Sequence, residues 1–198
     1  ISGSNNYSNT GTHCSISGNG NQTNSGTHCS ISGNGNQTNS GNKCLISGEF
    51  NHTNSGDWST ISGRSNYSNS GDYSSISGKN NVSNSGNYSV ISGYEAGNNT
   101  LDYSRVHGGG NDARIIDSVA KTSTSDATPR TLTLGGNTES ATNRINIPTD
   151  TAWAFTATII TKDSTSSKIQ MWVRQGLIYN DGGTTTLDGV VGVGADRD

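Results

Sequence analysis

Three cysteines stand fifteen residues apart, at Cys14, Cys29 and Cys44, and the first two follow His13 and His28. Thiolate and imidazole together are ligands of structural zinc, so this is the first place where the chain could do chemistry. Neighbours on a strand point to opposite faces, so a His and its adjacent Cys do not share a metal within one turn of chain. Later members of the same series are Ser59, Ser74 and Ser89. The cysteines therefore read as small interior residues, and no metal is expected on them. Stacked strands hold Cβ atoms ~4.8 Å apart, beyond the ~3.8 Å of a disulfide, so the thiols should be free.

A second series opens N-x-S/T sequons at Asn6, Asn21, Asn36, Asn51, Asn66 and Asn81, with one more at Asn98. Such sites can carry sugar, but a structural asparagine ladder explains the same spacing. A third series runs His13, His28, Lys43, Trp58, Tyr73, Tyr88 and Tyr103. Large, mainly aromatic side chains beside Asp57, Asp72 and Asn87 could bind sugar rings; otherwise they cover one another or a neighbouring chain. For catalysis the chain offers no nucleophile elbow, no His pair at helical spacing and no framed pair of carboxylates. Gly108-Gly109-Gly110 is too unspecific for a phosphate loop. No enzyme, catalytic residue or cofactor is expected.

What positions these series is a repeat. Ile-Ser-Gly returns at Ile1, Ile16, Ile31, Ile46, Ile61, Ile76 and Ile91 without an insertion, in a unit I-S-G-x-x-N-x-S/T-N-S/T-G-x-x-C/S-x. The seventh copy has Ala96 and Leu101 in its asparagine and second glycine slots, and a degenerate eighth follows at Val106-His107-Gly108. Fifteen residues rich in Gly, Asn and Ser oppose helix and suit one coil of a narrow β-solenoid. Slots 14, 1 and 3 share one face, the interior because slot 1 is always Ile; slots 13, 15 and 2 face outward. Only 27% of the 198 residues are hydrophobic, but only 14% are charged and the net charge is −3. Strict repetition with so little charge favours a hydrogen-bonded solenoid over disorder. Nucleic acid is not an expected partner, since phosphate needs clustered cations, and no apolar run is long enough to insert in a membrane. One Ile per coil is a thin core, completed by Asn and Ser ladders and by other chains. The chain opens at Ile1 in mid-pattern, which reads as a fragment or a processed product.

Beyond the repeats the composition turns to ordinary β-protein. Residues 131–134, 152–161 and 168–178 read as strands, with Trp153, Phe155, Ala157 and Ile159 on one face. Asn180-Asp181-Gly182-Gly183 is a turn. The expected plan is all-β: a solenoid at residues 1–107, a linker at 108–117 and a small antiparallel sandwich at 118–198. Because non-repeating loops carry recognition, Tyr179, Asn180 and Asp181 join Trp58, Tyr73, Tyr88 and Tyr103 as candidate ligand-binding residues.

Phrases such as Tyr88-Ser89-Val90-Ile91-Ser92-Gly93 and Asn66-Tyr67-Ser68-Asn69-Ser70-Gly71 resemble the β-roll heads of trimeric autotransporter adhesins. The fifteen-residue spacing is closer to phage tail-fibre and neck-appendage repeats. Thr124-Ser125-Asp126-Ala127-Thr128-Pro129-Arg130-Thr131-Leu132-Thr133-Leu134, then Arg144-Ile145-Asn146-Ile147-Pro148 and Thr151-Ala152-Trp153-Ala154-Phe155, resemble a C-terminal tail-fibre module. That module continues through more strands than residues 118–198 provide. The resemblance implies a homotrimer on the virion that meets other tail proteins and a bacterial surface glycan or protein. A bacterial surface adhesin head is the alternative, and a structural or ice-binding solenoid the second.

Overall fold

The chain is all-β, and the fifteen-residue register survives in space: Ile16 pairs with Ile31, Ile31 with Ile46 and Ile46 with Ile61, always in parallel. The structure, a computed structural model, describes residues 1–110, 114–121, 133–134, 147, 149–162 and 169–192. Two compact units are present, Ile1–Arg144 and Ile145–Asp198.

In the first unit each coil contributes slots 15 to 4 to one parallel sheet and slots 8 and 9 to another, narrower one. The wide sheet holds β1 (Ser15–Asn19), β2 (Ser30–Asn34), β3 (Leu45–Glu49), β5 (Thr60–Arg64), β7 (Ser75–Ile76), β9 (Val90–Tyr94) and β11 (Ser104–Gly109). Between them in the chain, β4 (Thr53–Asn54), β6 (Ser68–Asn69), β8 (Ser83–Asn84) and β10 (Asn98–Asn99) form the narrow sheet. An antiparallel strand, β12 (Arg114–Ser118), pairs with β11 and ends the wide sheet, so the stretch read as a linker is partly strand. A short pair follows, β13 (Ala120–Lys121) with β14 (Thr133–Leu134). The resemblance segments at 124–132 and 144–146 lie outside the described residues.

The interior is a column of isoleucines, Ile16 to Ile91 and then Val106, flanked by two columns of asparagine. Asn51, wholly buried, is typical of slot 6. Its Nδ2 donates to Ser47 O at 2.8 Å and to Gly63 O of the next coil at 2.9 Å. Its Oδ1 accepts the backbone N–H of Asn66 and the Asn66 amide, both at 3.1 Å. Slot 9 works similarly, Asn54 Nδ2 donating to Leu45 O and Ser59 O. Hydrogen-bonded amides thus do what a second hydrophobic column would do in an ordinary core.

Slot 3 departs from the alternation argument: its glycines do not face the interior. Gly63 has φ +101°, and a Cβ there would lie 2.0 Å from Gly78 O of the next coil. Slot 11 is closed in the same way, a Cβ on Gly86 falling 2.1 Å from Leu101 O. The seventh copy keeps the slot 3 demand, because β11 stacks on it and a Cβ on Gly93 would fall 2.2 Å from Gly108 O. It departs at two other slots: Leu101 replaces the slot 11 glycine and Ala96 the slot 6 asparagine, Ala96 N–H still donating to Asn81 Oδ1 at 2.9 Å.

The second unit is described as one antiparallel sheet, β15 (Thr151–Lys162), β16 (Ile169–Asp181) and β17 (Thr184–Gly192). Of the three strands read from sequence, 152–161 and 168–178 correspond to β15 and β16 of this sheet, whereas 131–134 overlaps β14 in the first unit, and β17 is not among them. Trp153, Phe155, Ala157 and Ile159 do share a face, opposite Ile178, Gly176, Arg174 and Trp172. Gly182 and Gly183, at φ +55° and +91°, make the two-residue turn. Where a sandwich was expected, no second layer faces this sheet among the described residues.

Candidate functional site

Slot 13 sits at the corner between slot 11 and the wide sheet, and its backbone is left-handed in every copy. The φ values run from 52° to 60° through His13, His28, Lys43, Trp58, Tyr73, Tyr88 and Tyr103. The corner is held from both sides. From His28 onward each slot 13 N–H donates to the previous coil, Tyr73 to Asp57 O at 2.8 Å and Tyr88 to Asp72 O at 2.9 Å. Slot 12 supplies a second ladder, in which Asp57 N–H donates to Asp72 Oδ1 and Asp72 N–H to Asn87 Oδ1, both at 2.8 Å. Inside the corner, Ser59 and Ser74 Oγ lie within bonding distance of their own coil's slot 9 Oδ1 and slot 11 carbonyl.

On this rigid footing the outward side chains stack. His13 and His28 lie 4.7 Å apart between ring centres, Lys43 Nζ sits 3.9 Å from the Trp58 ring, and Trp58, Tyr73, Tyr88 and Tyr103 follow at 6.0, 5.0 and 5.1 Å. Neighbouring planes differ by no more than 10°. The rings therefore cover one another. Both faces of Tyr73 and Tyr88 are taken, and what they offer outward is a column of ring edges and phenol hydroxyls. Trp58, Tyr73 and Tyr88 are still 52% exposed.

The stacking roughly offsets the strain of the corner. A left-handed non-glycine residue costs about 1–2 kcal/mol, and Gly or Asn would relieve it. Each stacked pair returns about 0.5–1.5 kcal/mol, so the two nearly cancel. Local stability thus gives no reason to keep large side chains at seven successive strained corners.

Tyr179, Asn180 and Asp181 belong to the other unit, at the end of β16. Asn180 is structural there: its Nδ2 donates to Ile147 O at 2.8 Å, and its carbonyl accepts Asp150 N–H at 2.7 Å. Asp181 is exposed and Tyr179 half-buried beside the glycine turn.

The thiols are interior. Cys29 and Cys44 are buried and Cys14 half-buried, all unpaired, with Sγ donating to the next coil's carbonyl, as Cys29 does to Gly41 O at 2.9 Å. Burial pushes the Cys29 thiol up to about 11, against the lowering effect of its backbone hydrogen bonds. In these coils Asn9, Asn24 and Asn39 keep an unpartnered Oδ1 that serine fills elsewhere. Sequon asparagines Asn21 to Asn81 are buried ladder members whose amide nitrogens are engaged, which leaves them no room for sugar; Asn98 is exposed.

A second exposed column escaped the sequence reading. Around slots 4, 5 and 7, His52 stacks on Tyr67 at 4.6 Å, Arg64 pairs with Glu49 at 3.3 Å, and Lys79 lies 5.5 Å from the Tyr94 ring. Phe50, at φ +52°, covers Gly35 of the previous coil. The available signal was variability: these slots change from copy to copy while their neighbours do not. No family model, curated protein or solved structure matches the chain.

Proposed function

We propose that the chain is a structural and receptor-binding segment of a fibre, of the phage tail-fibre kind, that attaches to a bacterial surface as a homotrimer. The observation that carries this reading is the slot 13 column. Seven left-handed corners hold large exposed side chains where glycine or asparagine would be easier, and strain kept without a local benefit points to function. Ring edges, hydroxyls and the second carboxylate oxygens of Asp57 and Asp72, repeated every coil, suit many weak polar contacts to a glycan or protein receptor. The solenoid supplies length and stiffness. Receptor specificity is assigned to the C-terminal unit and its Tyr179–Gly183 turn, the non-repeating part. Such a segment acts without catalysis and without a cofactor. A bacterial adhesin head would use the same surfaces and differ in its anchor. A hydroxyl face for ice has less support, because slot 8 mixes Thr53 with Ser68 and Ser83.

Adsorption of the purified protein to bacterial cells tests the proposal. Replacing Tyr73 and Tyr88 together with Ser should weaken binding at least about tenfold while leaving the fold intact, and exchanging residues 118–198 for those of a fibre with another host should redirect it. Unchanged binding in both variants would refute the assignment.

A further inference from the structure

Slot 5 is a second left-handed corner and serves as an internal control for slot 13. Its φ values, 50° to 66°, overlap those of slot 13, yet its residues are Asn5, Gly20, Gly35, Phe50, Ser65, Asn80 and Glu95, so glycine or asparagine relieves the corner in most copies. Slot 13 takes neither. Slot 12 shows a matching choice of charge. Where slot 13 is His or Lys, slot 12 is Thr12, Thr27 or Asn42; where slot 13 is aromatic, slot 12 is Asp57, Asp72, Asn87 or Asp102. The slot 12 ladder has no need of that charge, because Asn87 Oδ1 accepts Asp72 N–H at the same 2.8 Å at which Asp72 Oδ1 accepts Asp57 N–H. Carboxylates on adjacent rungs, ~4.8 Å apart, also repel each other. Each aspartate commits one oxygen to the ladder, Asp57 to Asn42 N–H at 2.8 Å and Asp102 to Asn87 N–H at 2.7 Å, and keeps a second oxygen without a hydrogen bond among the described residues. The cations flanking the strip are Lys43, which lies over the Trp58 ring, and Arg105, which stands opposite Asp117 on β12; none lies in slots 12 or 13 between them.

We propose that Asp57, Asp72 and Asp102 set the specificity of the Trp58–Tyr103 strip, which takes a sugar chain free of acidic groups and turns acidic chains away. The inference rests on the proposed reading of the slot 13 column as a binding surface and names its ligand class. Stacking at 5.0 to 6.0 Å takes both faces of Tyr73 and Tyr88, which removes them as the flat anchors a protein interface would use. What remains is phenol hydroxyls and carboxylate oxygens in single file, rung after rung. These match the hydroxyls of a linear sugar chain, each of which donates to an aspartate oxygen or accepts from a tyrosine. A carboxylate or phosphate on that chain would lie beside two rungs at once and be repelled by the aspartates there. The charge that the ladder does not need thus has a use outside the fold.

The test is an array of bacterial sugar chains in which carboxylate- or phosphate-bearing chains stand beside uncharged counterparts, read with the full chain at low ionic strength. The wild type should bind uncharged chains at least about tenfold more tightly than their acidic counterparts. Asp57→Asn, Asp72→Asn and Asp102→Asn combined keep the ladder acceptor that Asn87 already provides. They should bring the ratio below about threefold by admitting acidic chains, and added salt should narrow it in the wild type as well. An equal or stronger grip on acidic chains, or a ratio unmoved by the three substitutions, would overturn the inference while leaving the column as the binding surface. So would an array that binds nothing while cells still adsorb through Tyr73 and Tyr88, which would assign the column a protein receptor. Array binding and cell adsorption both indifferent to replacing Tyr73 and Tyr88 with Ser would overturn the inference together with the column's role in the proposed function.

Discussion

Replacing Asn51 with Ala removes one rung of the slot 6 ladder, and the structure sets the size of the effect. The substitution strands the Asn66 backbone N–H, buried and otherwise donating to Asn51 Oδ1 at 3.1 Å. It also deletes the bonds to Ser47 O and Gly63 O and the contact with the Asn66 amide. A stranded buried donor costs about 1–3 kcal/mol, and each net bond lost adds about 0.5–1.5 kcal/mol. The two carbonyls keep their sheet partners, so the lower end applies to them. The expected loss is about 3–5 kcal/mol. Native-state amide hydrogen exchange over residues 46–81 measures it locally, and protection there should fall by about 100- to 5,000-fold. A loss below about 1 kcal/mol at Asn51 would refute the view that the asparagine columns are core.

Three further outcomes follow from the same geometry. Replacing Cys14, Cys29 and Cys44 together with Ser should keep or slightly raise stability in urea, since serine would reach the unpartnered Oδ1 atoms of Asn9, Asn24 and Asn39. Because the folded state holds the Cys29 proton up to about 11 while the unfolded thiol ionises near 9.0, the stability it contributes is full below 9.0 and lost as pH rises toward 11. Unfolding of Cys29→Ser should lack that part of the pH dependence, measured as the difference between the two chains. Gly56→Ala drives a Cβ to 2.1 Å from Gly71 O and should destabilise by about 3 kcal/mol or more, whereas Leu101→Ala, with no repeat above, should lose only side-chain packing; calorimetry separates them.

Much of this was legible because a repeat turns one residue into seven observations. The constancy of Ile fixed the interior, the Cys-to-Ser exchange placed slot 14 inside, and the tyrosine column fell on the outward side. Alternation failed where the chain leaves the strand. Slot 3 turns left-handed and slot 13 occupies a corner, so the separation of His13 from Cys14 comes from corner geometry, not from strand pleat. The slot 12 ladder was hidden for a related reason. Whether Asp72 Oδ1 meets Asp57 N–H depends on the corner's shape, which composition does not reveal. Arg114–Ser118 lies outside the repeat, and its return along β11 has no periodic signature.

The division between slots explains how such a chain can vary its surface without losing its fold. Isoleucine contacts alone are non-directional and would tolerate a sliding coil. The slot 6 and slot 9 amides do not tolerate it, since each reaches named carbonyls of its own and adjacent coils only when the offset is fifteen. Slip by two residues would bury amides without partners at every rung. Register is thus specified by the polar interior, and the outward slots are released from specifying it. Slot 13 uses that freedom, passing from His through Lys and Trp to Tyr without a change in φ beyond 52–60°. Slots 4, 5 and 7 use it again, with Phe50, His52, Arg64 and Tyr94 on one continuous frame. A surface that changes composition along a fixed frame can be altered rung by rung without disturbing the interior that holds the register, which is what the proposed function would ask of it.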